Sequence, residues 1–495
     1  MGIVSAQRLI QNQAMTASHA AAPPPAVRRI SDLPGPRGWP LVGSLFQLRR
    51  DVIHLDIERW CRRYGSLFRL RIGRRELVVL SDHALINDVL RDRPDGWRRT
   101  QTLQQVGREM GLKPGLFGSE GDSWRAQRRM VMSGLDPGRV RAYFPQLHRV
   151  TDRLQRRWER AATEGRALDL QPELMRYTVD TVAGLAFGRD INTLESDGDV
   201  IQQHLDRLFP ALFRRVMSPL PYWRWIKLPA DRALDRSVLE IQRAIAEFIA
   251  EARQRLQSDP ARREHPPNLL EAMIVAAEEG RSGIGDDQVS ANVLTMLLAG
   301  EDTTANTLAW LLHLLHRHPD AMARACDEAR RVAGSSEPLL PEDLARLEYI
   351  DACLSETMRL KPVAPFMVLE ALRDTQVGDL QVPAGTMLWC AMRHDALQAQ
   401  HFADPLAFKP ERWLGEGAGG SKRVATPFGA GPRMCPGRYL ALTEMKMLLA
   451  MLLSRFDIQS VTAPGGAEAQ ERMSFTMVPV GLRMKLSARG QAASG

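Results

Sequence analysis

The residues best equipped for chemistry lie in one run, Pro427-Phe428-Gly429-Ala430-Gly431-Pro432-Arg433-Met434-Cys435-Pro436-Gly437-Arg438. Glycines and prolines flank a single cysteine, which then opens an amphipathic helix carrying Tyr439, Leu442, Met445, Leu448 and Leu449. A cysteine at a helix N-terminus meets the positive end of the dipole and unpaired backbone N–H groups, so its thiolate is favoured. The thiolate is the form that binds metals and attacks electrophiles. Glycines here let the backbone approach a flat ligand closely, and Arg433 can meet an anionic group. The plain alternative, a small buried hydrophobe, suits Cys61, Cys326, Cys353 and Cys390 better than Cys435.

A second unusual run is Ala299-Gly300-Glu301-Asp302-Thr303-Thr304. It lies inside an apolar helical pattern, Asp286–His318, which at 1.5 Å per residue would extend roughly 50 Å. Val293, Leu294, Met296, Leu297 and Leu298 make several faces apolar, as expected of a central buried helix. Glycine, two acids and two β-branched hydroxyls make poor helix in its middle. Such a local violation marks either a functional site or a kinked core helix with back-bonded threonines.

Other periodic stretches predict helices over Ser123–Met132, Gly138–Ala162, Leu170–Phe187, Ala230–Gln257, Asp320–Val332, Glu348–Leu360 and Pro436–Ser454. Short β-like runs occupy Leu67–Ile72, Glu76–Leu80, Val377–Val382, Met387–Cys390 and Phe475–Leu486. The fold class is therefore mostly α with small β sheets. No internal repeat is present, and Leu33-Pro34-Gly35-Pro36 gives a turn-rich entry to the folded chain.

Of 495 residues, 44% are apolar, 25% charged and 6% aromatic, which excludes pervasive disorder, collagen and coiled coil. The net charge is +8, with 66 basic residues of which only seven are lysine. That charge is too dilute over this length to indicate nucleic-acid binding. Five scattered cysteines without metal-type spacing suit a reduced, cytoplasmic protein. No apolar run reaches 18 residues, so no transmembrane anchor is expected. The first 29 residues lack any acid, a composition shared by unstructured leaders and transit peptides.

The run around Cys435 resembles the haem-binding signature of the cytochrome P450 family, Phe-x-x-Gly-x-Arg-x-Cys-x-Gly. Further family landmarks follow in order: Trp124-Arg125-Ala126-Gln127-Arg128, Ala299–Thr304, Glu356-Thr357-Met358-Arg359 and Pro410-Glu411-Arg412-Trp413. The resemblance runs from about Leu33 to Leu486. It implies a cytochrome P450 fold with haem buried between the long central helix and the cysteine-bearing helix. Residues 1–32 would then be a disordered leader, 33–487 a single domain, and 488–495 a disordered tail.

The resemblance implies roles residue by residue. Cys435 is the thiolate on haem iron; Phe428, Gly429 and Gly437 shape the cofactor site; Trp124, Arg128 and Arg433 meet the propionates. Many relatives carry one more propionate-binding arginine, at the place of Leu369 here, which leaves these arginines or an unseen partner to compensate. Glu356 and Arg359, three apart on one helical face, would join Arg412 in a buried supporting triad. Apolar Leu354, Met358 and Leu360 weigh against a solvent-exposed pair. Asp302 and Thr303 would deliver protons for dioxygen scission, and Gly300 would let the helix open for oxygen. Leu298, Ala299, Val363, Ala364, Phe366, Met367 and Phe475 would line the substrate pocket, or equally pack as core. Trp97–Ser119 and Leu208–Trp225 would form its lid and mouth.

The expected activity is a monooxygenase that inserts one atom of O2 into a small apolar organic substrate by hydroxylation or epoxidation. Its cofactor would be haem b. Electrons from NAD(P)H would arrive through a reductase and a ferredoxin or flavodoxin, docked on a basic strip near Arg125, Arg129, Arg438 and Lys446. Two rival readings use the same haem: an isomerase or dehydratase needing no external electrons, and a non-catalytic ligand-binding protein.

Overall fold

The computed structural model describes residues 27–196, 200–280, 284–334, 338–415 and 418–489. The expected leader through residue 26, and the tail from 490, lie outside the described residues. Order begins earlier than Leu33, because Arg28 bridges to Leu380 and pairs with Asp379 at 2.7 Å. It also persists past 487, where Arg489 donates to the Phe456 carbonyl.

The central helix runs unbroken over Asp286–Arg317, a length of about 48 Å. Asp286 and Asp287 in its first turn, and His316 and Arg317 in its last, complement the helix dipole. Its threonines do not break it, because Thr295, Thr303 and Thr307 each donate to the carbonyl four residues back at 2.8 Å. Leu308 through Leu312 are buried on every face. The helices Leu170–Phe187 and Glu348–Leu360 pack along it.

A five-stranded sheet has the order Leu67–Ile72, Arg75–Leu80, Met387–Cys390, Met367–Ala371, Trp97–Arg99. Only the contact between Arg75–Leu80 and Met387–Cys390 is parallel. The expected run Val377–Val382 is a hairpin of Thr375–Val377 and Leu380–Val382, turned at Gly378 with φ +59°. The run Phe475–Leu486 divides into Met477–Pro479 and Arg483–Ala488. The expected lid Trp97–Ser119 contains a strand, Trp97–Arg99, and a helix, Gln101–Glu109. The helix Val200–Val216 leads into the expected mouth segment.

Candidate functional site

Cys435 does not open its helix, which starts three residues later at Arg438. The Cys435 N–H instead donates to the Phe428 carbonyl at 2.9 Å, closing the loop that Phe428 begins. Burial pushes the Cys435 thiol above its ordinary value; the backbone N–H groups of Gly437 and Arg438 and the charge of Arg128 pull it back. The helix end thus opposes the effect of burial; a bound metal cation would go further, since it deprotonates a coordinating thiol outright. Two glycines of the loop have positive φ, Gly429 at +74° and Gly431 at +70°. Gly431 serves a protein contact: a Cβ there would sit 2.5 Å from the Leu90 carbonyl oxygen.

Beside this loop lies a buried cluster of arginines. The Arg433 guanidinium stacks 4.9 Å from the Trp124 ring, pairs with Glu120 and donates to the Ser119 carbonyl. Arg99 lies 3.5 Å over the Phe117 ring and donates to the Phe117 carbonyl at 2.7 Å. Burial, and then the like charges of Arg93 and Arg433, drive Arg99 well below the ordinary arginine range. Arg128 is lowered chiefly by burial, with the Cys435 thiol opposing. Arg93 and Arg99 went unnoticed in the sequence because neither belongs to a motif.

On the opposite wall, the middle of the central helix borders an apolar cavity of about 450 Å³. Leu298, Ala299, Thr303 and Phe475 line it, as do Phe117 and Phe209. Phe475 stacks face to face on Phe209 at 4.5 Å and tilts against Phe117 at 5.8 Å. It does so from a left-handed backbone (φ +102°), which is strained for a bulky residue. Four expected pocket residues do not line the cavity. The Val363 carbonyl accepts from Met477 N–H, Ala364 is exposed, Phe366 packs on Trp389, and Met367 enters the sheet.

Asp302 is held by two partners: Asn306 Nδ2 donates to Oδ1 at 2.7 Å, and the Thr476 hydroxyl donates to Oδ2. Burial raises its carboxyl above the ordinary value while those two hydrogen bonds lower it. Thr476 lines the cavity beside Thr303, so a hydroxyl links the half-buried acid to the pocket wall. Gly300 also meets a neighbouring element. A Cβ there would lie 2.4 Å from Val182 Cγ2, so the glycine admits the neighbouring helix; the central helix itself stays closed.

The supporting triad is fully assembled. Glu356 and Arg359 are completely buried and bridge at 2.7 and 2.8 Å. Arg359 also donates to the carbonyls of Ala396, Pro405 and Ala407. Arg412 reaches Glu356 at 3.2 Å, and Trp413 Nε1 adds an unforeseen bond at 2.9 Å.

The family model described as Cytochrome P450 matches residues 33–486. The chain belongs to the cytochrome P450 family. It is 29% identical over 454 residues to cyclooctat-9-en-7-ol 5-monooxygenase of Streptomyces melanosporofaciens, covering 90% of this chain and 93% of that one. It is 25% identical to the chloroplastic Protein LUTEIN DEFICIENT 5 of Arabidopsis thaliana, covering 90% and 76%. The solved haem domain of a mutant cytochrome P450DA superposes with TM-score 0.78 at 24% identity, covering 94% and 98%.

This P450 is a monooxygenase-type oxidoreductase, and its family implies haem, O2 and NAD(P)H-derived electrons. Its residues fit a haem on three counts: a cysteine thiol receiving two N–H groups, a cluster in which arginines outnumber the one acid, Glu120, and an adjoining apolar cavity. The basic strip expected for a redox partner is narrower than the sequence suggested. Arg125 pairs with Asp95 and Asp122, and Lys446 with Asp351, which leaves Arg129 and Arg438 exposed. No described helix is long and apolar enough to cross a membrane.

Proposed function

We propose that this P450 inserts one atom of dioxygen into an apolar organic substrate, by hydroxylation or epoxidation, with haem b held by Cys435. The observation that carries the reading is the apolar cavity beside Thr303, roofed by Phe117, Phe209 and Phe475. Haem bound through a thiolate supplies the dioxygen-activating chemistry, fed by two electrons. Trp124, Arg128 and Arg433 orient its propionates, and Phe428, Gly429 and Gly437 shape the loop around the cysteine.

The Thr303 hydroxyl donates a hydrogen bond to the Ala299 carbonyl at 2.8 Å, so its lone pairs are free to accept from a water in the cavity. Asp302, which accepts from Thr476 at the cavity wall, is the carboxylate that relays protons toward this water. The aromatic roof excludes bulk water from the substrate. Electrons come from a ferredoxin or flavodoxin and its NAD(P)H reductase, docked near Arg129 and Arg438. Five free cysteines, four of them buried, suit a reducing cytoplasm.

A terpenoid is the first substrate class to test, because the Streptomyces relative is named for cyclooctat-9-en-7-ol. The test screens terpenoids for a shift of the haem absorbance, then measures product and NADPH consumed with a surrogate ferredoxin and reductase. Oxygenated product in proportion to NADPH supports the reading. Conversion without electrons would move the protein to the isomerase class.

A further inference from the structure

The segment between the helix His83–Arg91 and the strand Trp97–Arg99 carries a guanidinium that no described residue answers. Arg93 is only 3% exposed, yet its Nε and Nη2 have no hydrogen-bond partner. Nη1 reaches nothing better than the Met367 sulfur at 3.4 Å. Burial pushes Arg93 down to about 10; the nearby charge of Arg433 adds to the fall and Glu120 opposes it. An unpaired buried charge is among the most expensive things a fold can hold, so this arrangement calls for an anion.

Arg93 and Arg99 both lie close enough to Arg433 to be lowered by its charge, and Glu120 is the carboxylate that acts on them from within the cluster. With Arg128, which also feels the charge of Arg433, four guanidiniums face one carboxylate and leave positive charge in excess. Haem brings two propionates. Leu369, where many relatives place a propionate-binding arginine, is wholly buried here and pairs across the strands with Arg99. Met367, two residues before it on the same strand, is the residue that Arg93 touches.

We infer that Arg93 is a carboxylate ligand peculiar to this arrangement: its two free guanidinium nitrogens bind a haem propionate and make good the arginine missing at Leu369. The inference rests on the haem reading above. Guanidinium binds carboxylate through parallel N–H donors, which suits Arg93 Nε and Nη2 because they lie on one edge of the group.

The test compares two porphyrins in the same proteins. Wild type, Arg93→Lys and Arg93→Leu are each loaded with haem or with its dimethyl ester, whose propionates carry no charge. The rate of transfer to excess apomyoglobin is then followed by absorbance. Arg93→Leu should release haem at least about tenfold faster than wild type, with Arg93→Lys between, while the ester should leave wild type and Arg93→Leu at similar rates. Equal acceleration for both porphyrins would reduce Arg93 to packing and overturn the inference, as would no acceleration for either. If Arg93→Leu gives no soluble holoprotein, Arg93→Gln supports the same comparison. A wild-type carbon monoxide spectrum characteristic of thiolate ligation upholds the haem reading whatever the Arg93 variants do, so the two can fail separately.

Discussion

At the scale of single residues, the proton-handling site joins parts that differ in how readily the sequence reveals them. Asp302 and Thr303 stand out as a polar interruption of an apolar helix, whereas Thr476, which binds the same carboxylate, lies 174 residues away in a segment of no evident pattern. Its approach depends on the left-handed backbone of Phe475, a conformation no sequence period encodes. Likewise Cys435 is plain in its motif, but Arg93 and Arg99 are visible only once the sheet folds them beside Arg433. Thr303→Ala should keep haem and substrate binding, because the hydroxyl bonds only to the carbonyl of its own helix. It removes the group that holds water in the cavity, so product per NADPH should fall several-fold while hydrogen peroxide rises, an order of effect typical of a lost proton-transfer group. Coupling equal to wild type, measured as product against NADPH oxidised, would count against the role given to Thr303.

At the scale of elements, hydrophobic period located every helix it named to within two or three residues, because a long apolar stripe is a strong signal. It carries no sign of one contact made by the glycine of the central helix. Gly300 sits where Val182 of the neighbouring helix presses in, a contact between elements that a single-helix pattern cannot contain. Gly300→Ala gains up to about 1 kcal/mol of helix propensity but overpacks a buried interface, which costs about 1–3 kcal/mol. The denaturation midpoint should therefore fall, and Val182→Ala in the same chain should restore part of it. Unchanged stability in the single variant would mean the helices part without cost. The Glu356–Arg359 pair makes a sharper case. Both side chains are fully buried, and Glu356 accepts from Arg359, Arg412, Trp413 and the Lys409 N–H. Glu356→Gln or Arg359→Leu breaks a buried pair, at a cost of about 3–5 kcal/mol, comparable with the whole stability of many domains. Both should yield little soluble holoprotein; wild-type yields from either would refute the supporting role.

At the scale of the whole molecule, distant parts of the chain are fastened through one acid that the sequence left unremarked. Glu471 accepts from His54 Nε2 at 2.7 Å, from Lys361 Nζ at 2.7 Å and from Arg393 Nη1 at 2.9 Å. Arg393 is itself paired with Glu58 at 2.7 Å. The network ties the helix Ile53–Tyr64 to the end of the helix Glu348–Leu360, the segment after Met387–Cys390, and the hairpin of Glu471–Met473 with Met477–Pro479. These partners are separated by up to 417 residues, so only tertiary folding brings them together. Burial alone would raise the Glu471 carboxyl, but the His54 hydrogen bond and the charges of Arg393 and Lys361 hold it far below its ordinary 4.5. For an acid lowered on folding, the unfolded chain takes up the proton first as pH falls. The stability Glu471 contributes is thus complete above about pH 4.5 and drains away below it. Glu471→Gln should lower Tm at about pH 7, since it removes the carboxylate charge facing Lys361 and one of the two carboxylates that Arg393 meets. Its deficit against wild type should shrink steadily as pH falls below about 4.5, where the native carboxylate also begins to lose its advantage. Thermal melts of the two holoproteins at stepped pH would read this directly, and a deficit constant from about pH 7 to about pH 3.5 would show that the carboxylate's charge is not what fastens these elements.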